Sequence, residues 1–298
     1  MTTATKTTSI ETRHVLPDDE RQIEQAVLAE IHQLFSNPTG NQRETYDTLI
    51  TKTPIADGVT LEAVDRDGVS GWWVRPPARA ILFLFTAAAT CSAKAYRRLA
   101  SQVAVRAGEA AFVANYPLAP EHVFPAAPEA AAAGSPLVRR PGRLGGPLVG
   151  DSAGGGLALS VLGDTVKTSP AIAAIAVFSP WLDLAMTGAS ITSPDIRDPI
   201  FFQPEMLAGP AAAYLAGADP KNGRTSPLYA VSEVLPPSLI QVGSDERSAG
   251  CAPRARRGGD IPEPSLGIAR RVQESSRDQV DPGAFAGARP EDAPSRFP

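Results

Sequence analysis

One serine stands between glycines where an apolar run gives way to a helical one. The stretch reads Gly150-Asp151-Ser152-Ala153-Gly154, and Gly155 follows directly. Residues 147–149 before it favour a strand, and residues 157–162 after it favour a helix. In a sharp strand-to-helix turn of this kind the serine hydroxyl is held above a sheet, where it can attack a carbonyl carbon.

The main-chain N–H of Ala153 starts the predicted helix and points to where an oxyanion would form. A glycine-rich turn can instead bind a phosphate or only allow close packing. This turn lacks the Lys-Ser/Thr ending of a P-loop, its glycines do not follow dinucleotide spacing, and it contains no Lys or Arg. We therefore take a serine nucleophile as the leading hypothesis.

Composition narrows the class of protein. The 298 residues are 43% hydrophobic, which is enough for a large core. A net charge of −4 gives no reason to expect nucleic acid or an anionic membrane as a partner. Two cysteines make neither a disulfide framework nor a metal cluster. With no signal peptide and no apolar run that could span a bilayer, a cytoplasmic protein is expected.

Strand-like and helix-like patterns alternate along the chain. Apolar residues recur every four positions at Ile23, Val27, Ile31 and Phe35, which predicts an amphipathic helix. The alternation predicts an α/β fold with a mostly parallel central sheet and helices on both faces. The predicted strands lie within 59–76 (a two-strand unit), at 80–85 and 110–116, and near 147–150, 171–178 and 238–242; a further helix is predicted at 95–106.

Three regions are predicted from these patterns. Residues 1–50 form an N-terminal helical lid segment, of which residues 1–15 are Thr-rich and expected to be frayed. Residues 51–246 form the core, and the Pro- and Gly-containing stretch 187–227 is an inserted helical lid. Residues 247–298 form an atypical tail.

Several separated stretches together resemble the bacterial hormone-sensitive-lipase-like esterases, the GDXG branch of the α/β-hydrolase fold. The likeness covers residues 20–246, and the protein resembles most closely small-ester and lactone hydrolases, including monoterpene ε-lactone hydrolases. The matching stretches are Gly150-Asp151-Ser152-Ala153-Gly154-Gly155, residues 115–127 (NYPLAPEHVFPAA), residues 179–184 (SPWLDL), Asp198-Pro199, residues 226–230 (SPLYA) and residues 239–246 (LIQVGSDE).

The resemblance implies an α/β-hydrolase fold in which Ser152 is the nucleophile and a histidine takes its proton. It assigns the triad acid to Asp245, which ends a predicted strand downstream of Ser152. No metal and no organic cofactor are expected. The lid and the Trp and Phe content suggest a small apolar ester or lactone as substrate. A homodimer formed through edge strands is the assembly that such folds allow.

The chain departs from that family at two catalytic elements. Where the family has His-Gly-Gly-Gly-Tyr, this chain reads Thr86-Ala87-Ala88-Ala89-Thr90. Ala87 and Ala88 keep the N–H groups of an oxyanion hole but resist the positive φ that glycine permits. The three histidines, His14, His32 and His122, all precede the predicted acid, so the general base is unknown. In the family the histidine at the position of His122 is a structural loop residue.

The tail is also unlike the family. Residues 247–298 hold nine arginines, no lysine and seven prolines, and this composition predicts disorder. Reading the codons CAC-GGC-GGC-GGC-TAC from their second base turns His-Gly-Gly-Gly-Tyr into Thr-Ala-Ala-Ala-Thr. We therefore predict reading-frame slips near 85–92, near 134–147 and after Glu246.

Two functions follow from these observations. The first is a serine hydrolase that cleaves carboxylic esters or lactones through an acyl-serine. The second is a catalytically impaired binding protein with the same fold. The printed chain favours the second when taken literally, because removing a triad histidine removes most of the rate of a serine hydrolase.

Overall fold

The fold is taken from a computed structural model. It describes residues 10–36, 41–66, 68–75, 79–84, 91–134, 146–165, 172–196, 198, 200–201, 203–230, 235–243, 246–247 and 268–274.

Nine strands in the described residues form one sheet, in the order β1-β9-β8-β7-β6-β4-β5-β3-β2. The pairs β2–β3 and β3–β5 are antiparallel, and every other neighbouring pair is parallel. This confirms the predicted mostly parallel sheet. The strands are β1 (Ile10–Val15), β2 (Thr60–Arg66), β3 (Val69–Arg75), β4 (Arg79–Leu84), β5 (Glu109–Ala114), β6 (Leu148–Asp151), β7 (Ile175–Phe178), β8 (Ser238–Gly243) and β9 (Ile268–Glu274).

Seven α-helices connect or flank these strands in the described part of the chain. Helix α5 follows β6 directly and buries Ala158, Val161 and Leu162 against the sheet. None of these helices combines the length and apolar character needed to cross a membrane. The helices are α1 (Asp18–Ser36), α2 (Gln42–Thr51), α3 (Ala93–Ala107), α4 (Ala126–Gly134), α5 (Ala153–Thr165), α6 (Ala189–Thr192) and α7 (Glu205–Leu215).

Helix α1 forms as predicted, but only its C-terminal half packs against the rest of the protein. Ile31 is buried, and the ring of Phe35 packs edge-on against Tyr46 of α2 at 4.8 Å. Ile23 and Val27 remain 66% and 46% exposed. The four-residue period therefore identified the helix correctly, whereas the first two residues of its apolar stripe are largely exposed.

The two terminal segments contradict the sequence-based expectation. Residues 10–15, which were expected to be frayed, form β1, and residues 268–274, within the tail expected to be disordered, form β9. β9 pairs in parallel with both β8 and β1, as in the register Gly243↔Gln273↔His14. Backbone hydrogen bonds to neighbouring strands hold these segments, and composition does not report such bonds. Residues 1–9, 248–267 and 275–298 lie outside the described residues, whereas Arg247, the first residue of the tail, is described.

Candidate active site

Ser152 occupies a strained turn between β6 and α5. Its φ is 53°, a left-handed value that a residue with a Cβ adopts only when its surroundings impose it. Here the surroundings are backbone hydrogen bonds: Ser152 N–H donates to the carbonyl of Phe178 at 2.8 Å. The Ser152 carbonyl accepts the N–H groups of Gly155 at 3.0 Å and Trp181 at 3.0 Å. The turn is thereby fixed to the end of β7.

Close backbone contacts explain the glycines of the turn. A Cβ on Gly150 would lie 2.5 Å from the carbonyl oxygen of Gly154, and a Cβ on Gly155 would lie 2.8 Å from Pro180 Cβ. A Cβ on Gly156 would lie 2.3 Å from the Trp181 carbonyl oxygen. The glycines therefore allow α5 to start close to the strand that precedes it and to the chain that follows β7.

The other residues predicted for the turn lie together at its surface. Ser152, Asp151 and Ala153 are each half-buried, so the nucleophile position is not enclosed in the packed interior. Asp151 accepts a hydrogen bond from the hydroxyl of Tyr96 at 2.5 Å. Ala153 lines a pocket with about 420 Å³ of empty space, part of which is open to solvent.

That pocket has a mainly apolar wall and a few polar groups. The apolar wall includes Tyr116, Leu157, Trp181, Leu184 and Tyr214. Its polar lining residues include Ser160, Arg224 and Thr225, and the Ser160 hydroxyl donates to the Arg224 carbonyl at 2.7 Å. Tyr214, Arg224 and Thr225 belong to the predicted insertion at 187–227, which thus supplies one side of the pocket.

The other tryptophans serve packing. Trp73 packs against Phe112 at a ring-centroid distance of 5.1 Å, and the guanidinium of Arg97 lies 4.0 Å from the ring centroid of Trp72. Both tryptophans lie on β3, among residues that surround the core. Of the tryptophans, it is Trp181 that lines the pocket.

Asp245, Ala87 and Ala88 lie outside the described residues, so the predicted acid and this part of the oxyanion hole stay predictions. The structure instead describes a neighbouring carboxylate, Glu246, just beyond the end of β8. Glu246 Oε1 accepts the hydroxyl of Ser179 at 2.7 Å and the N–H of Gly243 at 2.8 Å. Burial raises the pKa of Glu246 from 4.5 to about 7, although these two hydrogen bonds oppose that rise.

Ser179 connects Glu246 to the serine turn. Ser179 directly follows β7, has a φ of 44°, and donates its N–H to the Gln241 carbonyl of β8 at 2.7 Å. Phe178, the residue before it, accepts the N–H of Ser152. The carboxyl ends of β6, β7 and β8 are therefore tied together at one edge of the sheet, which is where α/β folds place their sites. Sequence reasoning considered only Asp245; the adjacent Asp-Glu pair was the available signal for Glu246.

The three histidines lie on separate elements. His14 lies on β1, four strands away from β6 in the sheet, which corresponds to about 19 Å at ordinary strand spacing. His32 is exposed on α1. His122 is exposed in the loop before α4, and its backbone N–H donates to the Leu118 carbonyl at 2.9 Å. The general base stays unassigned.

Two further stretches from the resemblance join the end of β7 to the insertion. The buried Asp183 carboxylate accepts the N–H groups of Ala185 at 3.0 Å and Thr187 at 2.7 Å, and the hydroxyl of Tyr229 at 3.0 Å. Ser226 Oγ accepts the N–H of Leu184 at 2.7 Å. These contacts hold the chain that carries Trp181 and Leu184 beside the pocket.

Comparison with known proteins agrees with this geometry. Residues 86–249 match the family described as alpha/beta hydrolase fold. The chain belongs to this family. The hydrolase fold predicted from the sequence, with its central sheet and flanking helices, is thus confirmed.

Similar proteins include two acetyl-hydrolases. The chain is 40% identical over 183 residues to an acetyl-hydrolase of Streptomyces hygroscopicus, covering 58% of this chain and 60% of the relative. It is 35% identical over 209 residues to a putative acetyl-hydrolase, LipR, of Mycobacterium tuberculosis, covering 67% of each. This chain of the hydrolase family therefore spans about three fifths of the length of the Streptomyces relative.

Solved structures give the same assignment. The chain superposes on a crystal structure of an esterase from the bacterial hormone-sensitive lipase family with a TM-score of 0.73 and 30% identity. That superposition covers 84% of this chain and 87% of the esterase. The resemblance to hormone-sensitive-lipase-like bacterial esterases is confirmed.

Proposed function

We propose that this chain is a carboxylic-ester hydrolase that acts through an acyl-serine at Ser152. The observation that carries the proposal is the strained, half-buried position of Ser152, whose sequence neighbour Ala153 lines a mainly apolar pocket. A residue with a φ of 53° costs free energy that simple packing would not require, and such strain concentrates at functional sites. The names of the similar proteins, esterase and acetyl-hydrolase, support the same reaction class.

The reaction follows the chemistry of serine esterases. Ser152 Oγ attacks the carbonyl carbon while a base takes its proton, and the new oxyanion accepts the N–H of Ala153. Collapse of this intermediate breaks the ester C–O bond, and the leaving alcohol takes the proton back from the base. Water then hydrolyses the acyl-serine by the same steps. In the full scheme a carboxylate beyond β8, Asp245 or Glu246, orients the base.

The pocket supports a small apolar substrate. Among the described residues its aromatic and aliphatic wall provides no carboxylate, and Ala153, the residue after the nucleophile, is part of the lining. We extend the proposal to lactones, in which the leaving alcohol stays attached to the acyl group. Ring opening of a small lactone, followed by acid release at constant pH, tests this extension separately from ester cleavage.

The location and assembly belong to the same proposal. We propose a cytoplasmic protein that forms a homodimer through an edge strand and has no nucleic-acid partner. Fractionation of the native host tests the location. Light scattering of the purified chain tests the assembly, and a monomeric mass would contradict the proposed homodimer.

A fluorophosphonate probe tests the proposed nucleophile. We expect covalent labelling of Ser152, mapped by peptide mass spectrometry, together with hydrolysis of p-nitrophenyl acetate. Ser152→Ala should abolish the labelling at this position and the turnover. A folded wild-type sample that stays unlabelled would contradict the proposal.

The second candidate is a binding protein with a hydrolase fold. The specific observation in its favour is that no histidine follows His122 in the chain. Labelling without turnover would indicate a reactive serine that lacks its base. Resequencing the DNA completes the test, because a gene that encodes Thr-Ala-Ala-Ala-Thr without interruption would refute the reading-frame hypothesis.

A further inference from the structure

The start of α3 is hydrogen-bonded to two other elements, helix α2 and the end of strand β6. Ser92 caps this helix by accepting the N–H of Ala95 at 3.2 Å. The Asp47 carboxylate of α2 accepts two hydrogen bonds from Ser92. Its Oδ1 accepts the backbone N–H at 2.8 Å, and its Oδ2 accepts the hydroxyl at 2.8 Å. Helix α2 is thereby joined to the start of α3 through a bidentate contact.

Tyr96, also in the first turn of α3, contacts the residue that precedes the nucleophile. Tyr96, which is only 1% exposed, donates its hydroxyl to Asp151 Oδ2 at 2.5 Å. A phenol–carboxylate distance this short is typical of a charge-assisted hydrogen bond, the stronger class. Asp151 directly precedes Ser152, so Tyr96 holds the side chain of the residue that leads into the strained turn.

Tyr96 of this pair is buried, and Asp151 is half-buried. Cys91, next to Ser92, is fully buried, and burial together with the nearby Asp47 and Asp151 carboxylates raises the pKa of its thiol. Burial and the same Asp151 charge raise the pKa of Tyr46. Hydrogen bonds are worth more, and their loss costs more, in such surroundings than in water.

We propose that Tyr96 is a positioning residue for Ser152, and that Asp47 extends this support to helix α2. The proposal rests on the function proposed above, and it assigns to residues 41–51 a part in the active-site framework besides any role as a lid. Tyr96 does not touch substrate; it acts through Asp151, whose backbone it keeps from relaxing. Because Ser152 is held at an unfavourable φ, loss of an anchor beside it should let the turn move toward a relaxed conformation.

Removing only the Tyr96 hydroxyl tests the proposal. In Tyr96→Phe we expect the maximal rate of fluorophosphonate labelling of Ser152 to fall at least tenfold, while the probe concentration for half-maximal rate stays unchanged. The control is Ser238→Ala, which removes a hydroxyl that donates to the Pro236 carbonyl at 2.6 Å, at the start of β8 and away from the carboxyl ends of the strands. An equal loss of rate in both variants would reduce Tyr96 to a general stabilising residue.

Double variants test whether Tyr96 works through Asp151. If it does, adding Tyr96→Phe to Asp151→Ala should reduce labelling less than twofold further, because the contact is already gone. Asp151→Asn keeps an oxygen that accepts the phenol hydroxyl, so it should retain more activity than Asp151→Ala. Independent, multiplicative losses would overturn the proposed pathway.

Hydrogen exchange separates this proposal from the proposed reaction. Tyr96→Phe should increase exchange of the backbone amides of residues 148–157 at least tenfold, and Asp47→Ala should do so for residues 91–97. Ser238→Ala should change neither segment. A wild-type protein that is not labelled would end the esterase proposal, whereas unchanged exchange at residues 148–157 in Tyr96→Phe would end the positioning proposal.

Discussion

The buried carboxylate of Asp198 accepts the backbone N–H of Arg247 at 2.8 Å. Its other oxygen accepts the N–H groups of Ile200 at 2.9 Å and Phe201 at 2.8 Å. The Arg247 side chain in turn donates to the carbonyls of Ile191 and Phe201, each at 2.7 Å. The insertion at 187–227 is thus bound to the residue that follows Glu246, so the same contacts hold one side of the pocket and the carboxylate beyond β8.

Replacing Asp198 should loosen that connection. Asp198→Ala leaves one buried and two partly buried N–H groups without their acceptor, and we expect the free energy of unfolding to fall by about 3 kcal/mol. Asp198→Asn should lose less, because its amide oxygen still accepts Ile200 and Phe201 while its NH₂ group faces Arg247. Urea unfolding of the three proteins measures this order. Equal stability of the alanine and asparagine variants would contradict it.

Glu246 should make the stability depend on pH. Its pKa rises from 4.5 in the unfolded chain to about 7 in the folded protein, so folding favours the protonated form. This stability is fully present below pH 4.5 and is lost as pH rises through about 7. The Glu246 contribution alone should make the free energy of unfolding up to about 3 kcal/mol larger at pH 4.5 than at pH 8.

Glu246→Gln isolates this contribution, because it carries no charge at any pH. Urea unfolding between pH 4.5 and pH 8 should show a flatter profile for Glu246→Gln than for the wild type. Glu205→Gln, a change at an exposed carboxyl at the start of α7, should keep the wild-type profile. A Glu246→Gln profile as steep as the wild type would show that other groups cause the dependence.

The strain at Ser152 can be measured as stability. Glycine adopts a φ of 53° without steric cost, whereas alanine keeps the Cβ that opposes it. Ser152→Gly should therefore be more stable than Ser152→Ala by about 1 kcal/mol, even though both lose the nucleophile. Differential scanning calorimetry of the two variants checks this, and an alanine variant as stable as the glycine variant would show that the turn is not strained.

Helix α5 contains a matched pair of glycines. A Cβ on Gly156 would meet the Trp181 carbonyl oxygen at 2.3 Å, whereas a Cβ on Gly163 finds nothing within 4 Å. Gly156→Ala should reduce the free energy of unfolding by about 3 kcal/mol through overpacking. Gly163→Ala should increase it by about 0.8 kcal/mol, because alanine favours a helix interior. Denaturant unfolding of both variants tests these opposite signs.

The inner strands and the nucleophile turn could be predicted from the sequence because their signals are local. The glycine spacing around Ser152 and the apolar runs of β4 to β8 each fall within a few neighbouring residues. The hydrogen bonds of Glu246 could not be predicted in this way. Its hydrogen-bond donor Ser179 lies 67 residues earlier in the chain, so only the fold brings the two together.

The two strands nearest the chain ends, β1 at the sheet edge and β9 between β1 and β8, were not predicted for a different reason. β1 and β9 are held by backbone pairing in the register Val15↔Glu274, and such pairing leaves little trace in side-chain composition. The position of residue 247 could not be predicted from composition either. It follows the position where the reading frame was predicted to slip, yet Arg247 is 7% exposed and its guanidinium is held by backbone carbonyls. The reading-frame slip after Glu246 stays a prediction.

The contact between Gly156 and Trp181 limits how this protein can diversify. Because the backbone of α5 lies against the Trp181 carbonyl at Gly156, no side chain can be added at this position without moving the chain that is hydrogen-bonded to Ser152. Changes in the molecules accepted can instead arise across the pocket, at Tyr214, Leu184 and Arg224. Reactivity and selectivity are thus assigned to different stretches of chain, and each can be altered by mutation while the other is kept.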